Sequence, residues 1–171
     1  MILPKARDPR LVTIRRGGLL TDADHHALAE WSAACAEHVL GLFAREAPDD
    51  QRPREAIAML RAWIRGEVPM TDAHNAAFAA NAAGRGCSDA ARFAALAAGQ
   101  AVAVAHVAAH DLGAAAYAIR AVQAATASKL AQDARVRERD WQREQLPDAV
   151  RALVLDDQRL RSAICWNVFD D

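Results

Sequence analysis

Ser88-Asp89-Ala90-Ala91-Arg92-Phe93-Ala94-Ala95-Leu96-Ala97-Ala98-Gly99-Gln100-Ala101-Val102-Ala103-Val104-Ala105-His106-Val107 is the stretch on which the fold turns. Ser88 is a capping residue, and the segment behind it is rich in Ala, the strongest helix former. Phe93, Leu96, Gln100, Val104 and Val107 recur at spacings of three and four, which puts them on one helical face. Ala91, Ala95, Gly99 and Ala103 form an unbroken row of small residues on the opposite side. Such a row lets a second helix come very close. A helix apolar on two sides belongs in the middle of a bundle, so this segment is predicted to be the central one.

Working outward, the same 3.6-residue period recurs on both sides. Thr21 and Asp24 make a capping-box-like start, and Leu28, Trp31, Cys35, Val39 and Leu42 follow as one stripe until Pro48-Asp49-Asp50. Pro53 opens a second helix with Ile57, Leu60 and Ile64 as its stripe and Trp63 alongside, ending at Gly66. Pro69-Met70-Thr71 opens a third, with Thr71 as cap, Phe78 as its main anchor and Gly84 to Gly86 as its end. Beyond the central segment, Asp111 and Gly113 mark a break, and a fifth helix begins near Ala114 with Tyr117, Ile119, Ala121 and Val122. Lys129 to Gln145 is densely charged and reads as a solvated helix, either separate from the fifth or continuing it, pinned by Trp141. Pro147 and Asp148 start a last helix with Val150, Leu153, Val154 and Leu160 as its apolar residues.

Residues 1–20 differ. Pro4 and Pro9 exclude helix, Leu11-Val12-Thr13-Ile14 has strand-like side chains, and Arg15-Arg16-Gly17-Gly18 breaks the chain. The expected fold class is therefore all-α: a single-domain bundle of about six or seven helices with an extended N-terminal arm. The arm is 1–20 and the helical body 21–165. The tail 166–171 docks on the bundle, because Ile164-Cys165-Trp166-Asn167-Val168-Phe169 is too apolar to stay in water.

Composition narrows the function classes. With 171 residues the chain is long enough to bury a core. Roughly a quarter of it is Ala, far above ordinary usage, so the few aromatic residues serve as anchors. Lys and Arg number 21 against 22 Asp and Glu, interspersed, for a net charge of −1. That argues against a nucleic-acid protein or a polybasic membrane-surface protein, and near neutrality makes self-association into a homo-oligomer an option. Cys35, Cys87 and Cys165 are odd in number and far apart, which suits buried thiols in a reducing cytoplasm rather than a disulfide framework. Met1 to Arg10 has no apolar run of signal-peptide length, and Ala94 to Ala109 is too short to span a bilayer.

The sharpest polar feature is His106-x-x-x-His110-Asp111. Histidines four apart on a helix face the same way, the spacing used by transition-metal sites. The Glu of HExxH is replaced by Val107, so a third ligand must come from Asp111, or from Glu37 and His38 on the first helix. The same residues could bind an acidic partner group, or be helix-end histidines with packing and capping roles. Glu30 and Glu37 share one side of the first helix and could do acid–base work if buried; otherwise they are a solvated face. His25-His26, in the first turn, reads as surface. Arg15 and Arg16 before two glycines could grip a phosphate or carboxylate, or tether the arm to acidic helix ends. No G-x-S-x-G, P-loop or G-x-G-x-x-G is present. That weighs against an enzyme and against any cofactor beyond a transition metal.

Three segments together carry a family likeness. They are Thr13-Ile14-Arg15-Arg16-Gly17-Gly18, then His106-Val107-Ala108-Ala109-His110-Asp111-Leu112-Gly113-Ala114-Ala115-Ala116-Tyr117-Ala118, then Cys165-Trp166-Asn167-Val168-Phe169. In these the chain resembles a bacterial family of immunity proteins of polymorphic toxin systems, the "like" relatives of the fifth predicted immunity family. The resemblance implies an all-helical fold and a protein that neutralises a partner toxin by protein–protein interaction, and it carries over no catalytic residue. Two alternatives stand beside that expectation: a metal-binding or enzymatic bundle centred on His106 and His110, and a helical self-association module.

Overall fold

The computed structural model describes residues 3–171; Met1 and Ile2, the first two residues of the expected arm, lie outside them. Seven α-helices form the body: α1 Asp22–Glu46, α2 Arg52–Ile64, α3 Met70–Ala83, α4 Asp89–Ala103, α5 Asp111–Ala124, α6 Ala131–Glu144 and α7 Asp148–Arg161. No strand occurs among the described residues, only an isolated bridge between Thr13 and Leu20. The arm is instead built of two short 3-10 turns, Pro9–Leu11 and Ile14–Arg16.

α4 occupies the centre, touching α1, α2, α3 and α5. Ser88 caps it by accepting from the Ala91 N–H at 3.4 Å. The small-residue row does what its sterics suggest. Ala91 and Ala95 are fully buried, and a Cβ placed on Gly99 would meet the Asn81 side chain at 2.1 Å and the Ala77 carbonyl at 3.2 Å. α3 therefore lies almost directly on the α4 backbone. That closeness explains one departure. Phe78, expected as the anchor of α3, is 62% exposed, because α3 buries only Ala73, Ala77, Ala80 and Ala83. No aromatic ring fits in an interface set by alanine and glycine. Thr71 also lies inside α3, which starts from Pro69 without a side-chain cap.

α1 is capped by Thr21, which accepts from the Asp24 N–H at 3.0 Å. Leu28, Trp31, Cys35 and Val39 are buried along its stripe. The Trp31 indole N–H donates to the Gln142 carbonyl at 2.8 Å, which ties α1 to α6. α6 is separate from α5, with a 3-10 turn at Ser128–Leu130 between them, and it is not simply a solvated helix. Arg135, Glu138, Arg139 and Gln142 are buried. Arg135 donates to the carbonyls of Val168 and Asp170, both at 2.7 Å. Arg139 also donates to Asp170, and Arg143 donates to Phe169 at 2.8 Å. The charged face of α6 thus holds the C-terminal tail by its backbone, with Val168 and Phe169 buried beneath. Within the same tail, the Trp166 ring lies 4.3 Å from the Arg120 guanidinium carbon, which also sits 4.1 Å from the Phe93 ring centre. Val150 and Val154 of α7 face the core, but Leu160 points to solvent.

Candidate functional site

α4 ends three residues before His106. After Ala103 the chain turns through Val104 and Ala105, extends at Val107, and re-enters a 3-10 turn at Ala108–His110 that leads into α5 at Asp111. His106 and His110 therefore do not share a helical face as the i, i+4 spacing predicted. The carbonyl of Val104, freed by the break, accepts from His25 Nε2 at 2.7 Å. His25, read from the sequence as surface, is buried for this reason, and burial holds its proton affinity below that of an ordinary imidazole. A helix end in the interior needs such a partner.

Asp111 lies inside the molecule, with His110 half-buried beside it. His110 Nδ1 donates to Gln100 Oε1 at 2.8 Å, and burial lowers its pKa to about 4. Asp111 is 0% exposed. It accepts from the Leu112 N–H at 2.6 Å and from Arg161 Nη2 at 3.1 Å. Arg161 also grips Asp157, with Nε to Oδ1 at 2.7 Å, and donates to the Ala109 carbonyl at 2.8 Å. One guanidinium thus serves two buried carboxylates. Desolvation pushes Asp111 well above the usual carboxylate range although Arg161 pulls the other way. This cluster bolts the α4–α5 joint to α7.

Glu37 and His38 are drawn elsewhere. Arg61 of α2 clamps Glu37 through two bonds at 2.9 and 2.7 Å and reaches Glu30 at 2.5 Å. The two carboxylates are thus held by one cation across α1 and α2, not poised as an acid–base pair. His38 stacks on Trp141, ring centres 3.7 Å apart, with its Nδ1 2.9 Å from the buried Glu138 carboxylate. His106 instead faces His74 of α3, their ring centres 4.7 Å apart, and Nδ1 of each ring is buried without a hydrogen-bond partner. Among the described residues no group of three or more His, Cys, Asp or Glu side chains is arranged to hold a metal ion.

What does converge is a cleft of about 470 Å³ between the arm, the start of α1, the α2–α3 connection and the turn after α4. Arg7, Arg15, Arg16, His25, His26 and His106 line it, with Trp63 in its wall. The rings of His25 and His26 stand edge-on to Trp63 at 5.0 and 4.9 Å. The paired glycines create this placement. Gly17 has φ +83°, a conformation side chains resist, and a Cβ on Gly18 would sit 2.0 Å from the Val12 carbonyl oxygen. The chain can fold back there only without side chains, and doing so sets Arg15 and Arg16 over the cleft. Arg15 pairs with Asp22 in the first turn of α1. Of the seven expected site residues, the structure brings Arg15, Arg16 and His106 together here. Arg7, His25, His26 and Trp63 had no motif to mark them.

Residues 18–149, spanning α1 to α6, match the model of a family described as "Imm-5 like putative immunity protein". The chain belongs to this family. No curated protein and no solved structure matches it. Of the three segments that carried the likeness, the α4–α5 joint lies inside the matched span, whereas the arm up to Gly17 and the tail lie outside it. The matched span leaves Arg7, Arg15 and Arg16 outside it, so the cationic side of the cleft is supplied by the segment that precedes the family's span. Among the described residues no helix is long and apolar enough to cross a membrane.

Proposed function

We propose that this protein neutralises a protein toxin by binding it, and that it docks through the arm face. Membership in an immunity family carries the first half of that reading. The arm face supports the second. There the cationic cleft adjoins two large side chains left in solvent, Ile14 at 61% and Leu19 at 68% exposure. Interfaces of this kind pair an apolar anchor with complementary charge, the charge setting partner choice and encounter rate. The other exposed candidate, the face of α6, is partly consumed in holding the tail. The small-residue row of α4 is likewise filled by α3, so it is not free for a second copy of the chain. Three free cysteines, two of them buried, suit the reducing cytoplasm in which such a toxin would have to be met.

The test is co-expression with the product of the adjacent gene. The intact protein is expected to restore growth to cells making the toxin, and the Leu19→Asp variant to fail while retaining the parent melting temperature. A neighbour that is not toxic, or toxicity that the intact protein does not relieve, would overturn the reading.

A further inference from the structure

We propose that the arm cleft is a binding site for an oxyanion, a phosphate or carboxylate head group on a small ligand. This goes beyond toxin binding and stands on the cleft alone. The first ground is uncompensated charge. Three arginines face the cavity, and the single acid in its lining, Asp22, is already paired with Arg15. The guanidinium groups of Arg7 and Arg16 make no ion pair or side-chain hydrogen bond among the described residues. Planar guanidinium forks bind oxyanions in preference to other ligands.

The second ground is shape. At about 470 Å³ the cavity falls within the range of small-ligand sites, and it combines a ring wall with a few converging polar groups. The arm is held in place by a backbone turn that tolerates no Cβ at Gly18, so the arginines over the cleft sit on a defined loop rather than a loose terminus.

The third ground is the state of the histidines. Burial first, then His74 from α3 and Arg16 and Arg7 from the arm, hold the proton affinity of His106 down. His106 in turn adds to the burial that lowers His110 on the following turn. His25 is depressed likewise by burial, with Arg16 and His26 adding to it and Asp22 opposing. An anion among these groups relieves the repulsion, so its binding must raise the pKa of His106 by linkage.

Inorganic pyrophosphate, titrated into the full-length protein at low ionic strength and followed by NMR, is the probe. Saturable binding is expected, with shifts at the Trp63 indole and the His26 and His106 rings, and an upward displacement of the His106 titration. Arg7→Gln and Arg16→Gln should each weaken binding by about tenfold. Arg54→Gln, on α2 and outside the cleft lining, should change nothing. Competition by citrate would show that carboxylates also enter; failure of citrate to compete would show that the site selects phosphate. Non-saturable shifts, equal loss in Arg54→Gln, or a His106 titration indifferent to pyrophosphate would each sink the proposal.

Discussion

Two clusters of charge flank the α4–α5 joint, and they follow opposite rules. Behind the joint, Asp111, Arg161 and Asp157 are shut away from water and bonded to one another. In front of it, Arg7, Arg16 and His106 open onto a cleft that supplies no counter-charge for them. Burying a charge is costly unless its partner is buried with it. The rear cluster obeys this rule, with Arg161 answering both carboxylates, and so reads as architecture. Arg7 and Arg16 of the front cluster are exposed and keep their hydration, so the fold has no need to pair them, and they are free to meet the anion proposed above.

The largest effect should come from breaking the rear cluster. Arg161→Leu strands Asp111 and Asp157 without their cation and frees the Ala109 carbonyl. Removing one member of a buried ion pair typically costs about 3–5 kcal/mol, which for a domain of this size approaches the whole margin of stability. Chemical denaturation is expected to show a loss of that order or an unfolded variant. A loss under about 1 kcal/mol would show that water reaches the cluster and that the two halves of the comparison are not different in kind.

A smaller effect concerns pH. His25, His106 and His110 all have folded-state pKa values below the ordinary value, His110 at about 4. Below pH 6.5 the unfolded chain takes up protons on these histidines that the folded chain refuses, so their contribution to stability falls as pH falls from about 6.5 toward 4. Asp111 acts in the opposite sense across the whole of that range, because its raised pKa lets the folded state hold a proton that the unfolded state releases. The histidines and Asp111 thus pull in opposite directions between pH 7 and pH 5, and a variant at one of them isolates its share. His110→Gln keeps an acceptor and donor for Gln100 and removes one titrating group; relative to the parent, the variant should lose less stability as pH falls, with His110 accounting for roughly 3 kcal/mol when its effect is complete. An unchanged slope in the variant would mean that His110 protonates freely in the folded protein.

The contrast between the clusters also bears on what could be read in advance. The helices and the central place of α4 were legible, since Ala91, Ala95, Gly99 and Ala103 leave room for only one kind of neighbour. The break after Ala103 was not. No Gly or Pro marks it, and the carbonyl it frees is answered by His25, 79 residues away in sequence. The same blindness hid the site. His106 and His110 looked like one helical face, yet a turn sends the first to the cleft and the second to the interior. Arg135, Arg139 and Arg143 looked like solvated charge because their partners are main-chain carbonyls of the tail, which no residue type announces. Only the glycine pair at 17 and 18 hinted at the arm's return, and nothing local told where it would land.

The smallest effect is expected at the α1–α2 clamp, which sits between the two rules. Arg61 is paired, like Arg161, but in partial contact with water, like Arg16. If pairing alone made a charge structural, Arg61→Gln would cost as much as Arg161→Leu. If burial decides, solvent screens the pairs and replaces the lost bonds, and the cost stays near or below about 1 kcal/mol despite the two-pronged grip on Glu37. Denaturation of Arg61→Gln should give the smaller figure, and added salt should shrink the difference from the parent protein further. A loss of several kcal/mol, insensitive to salt, would mean that the clamp organises the α1–α2 pair as the rear cluster organises α5 and α7, and that accessibility to water is the wrong line along which to divide this protein's charges.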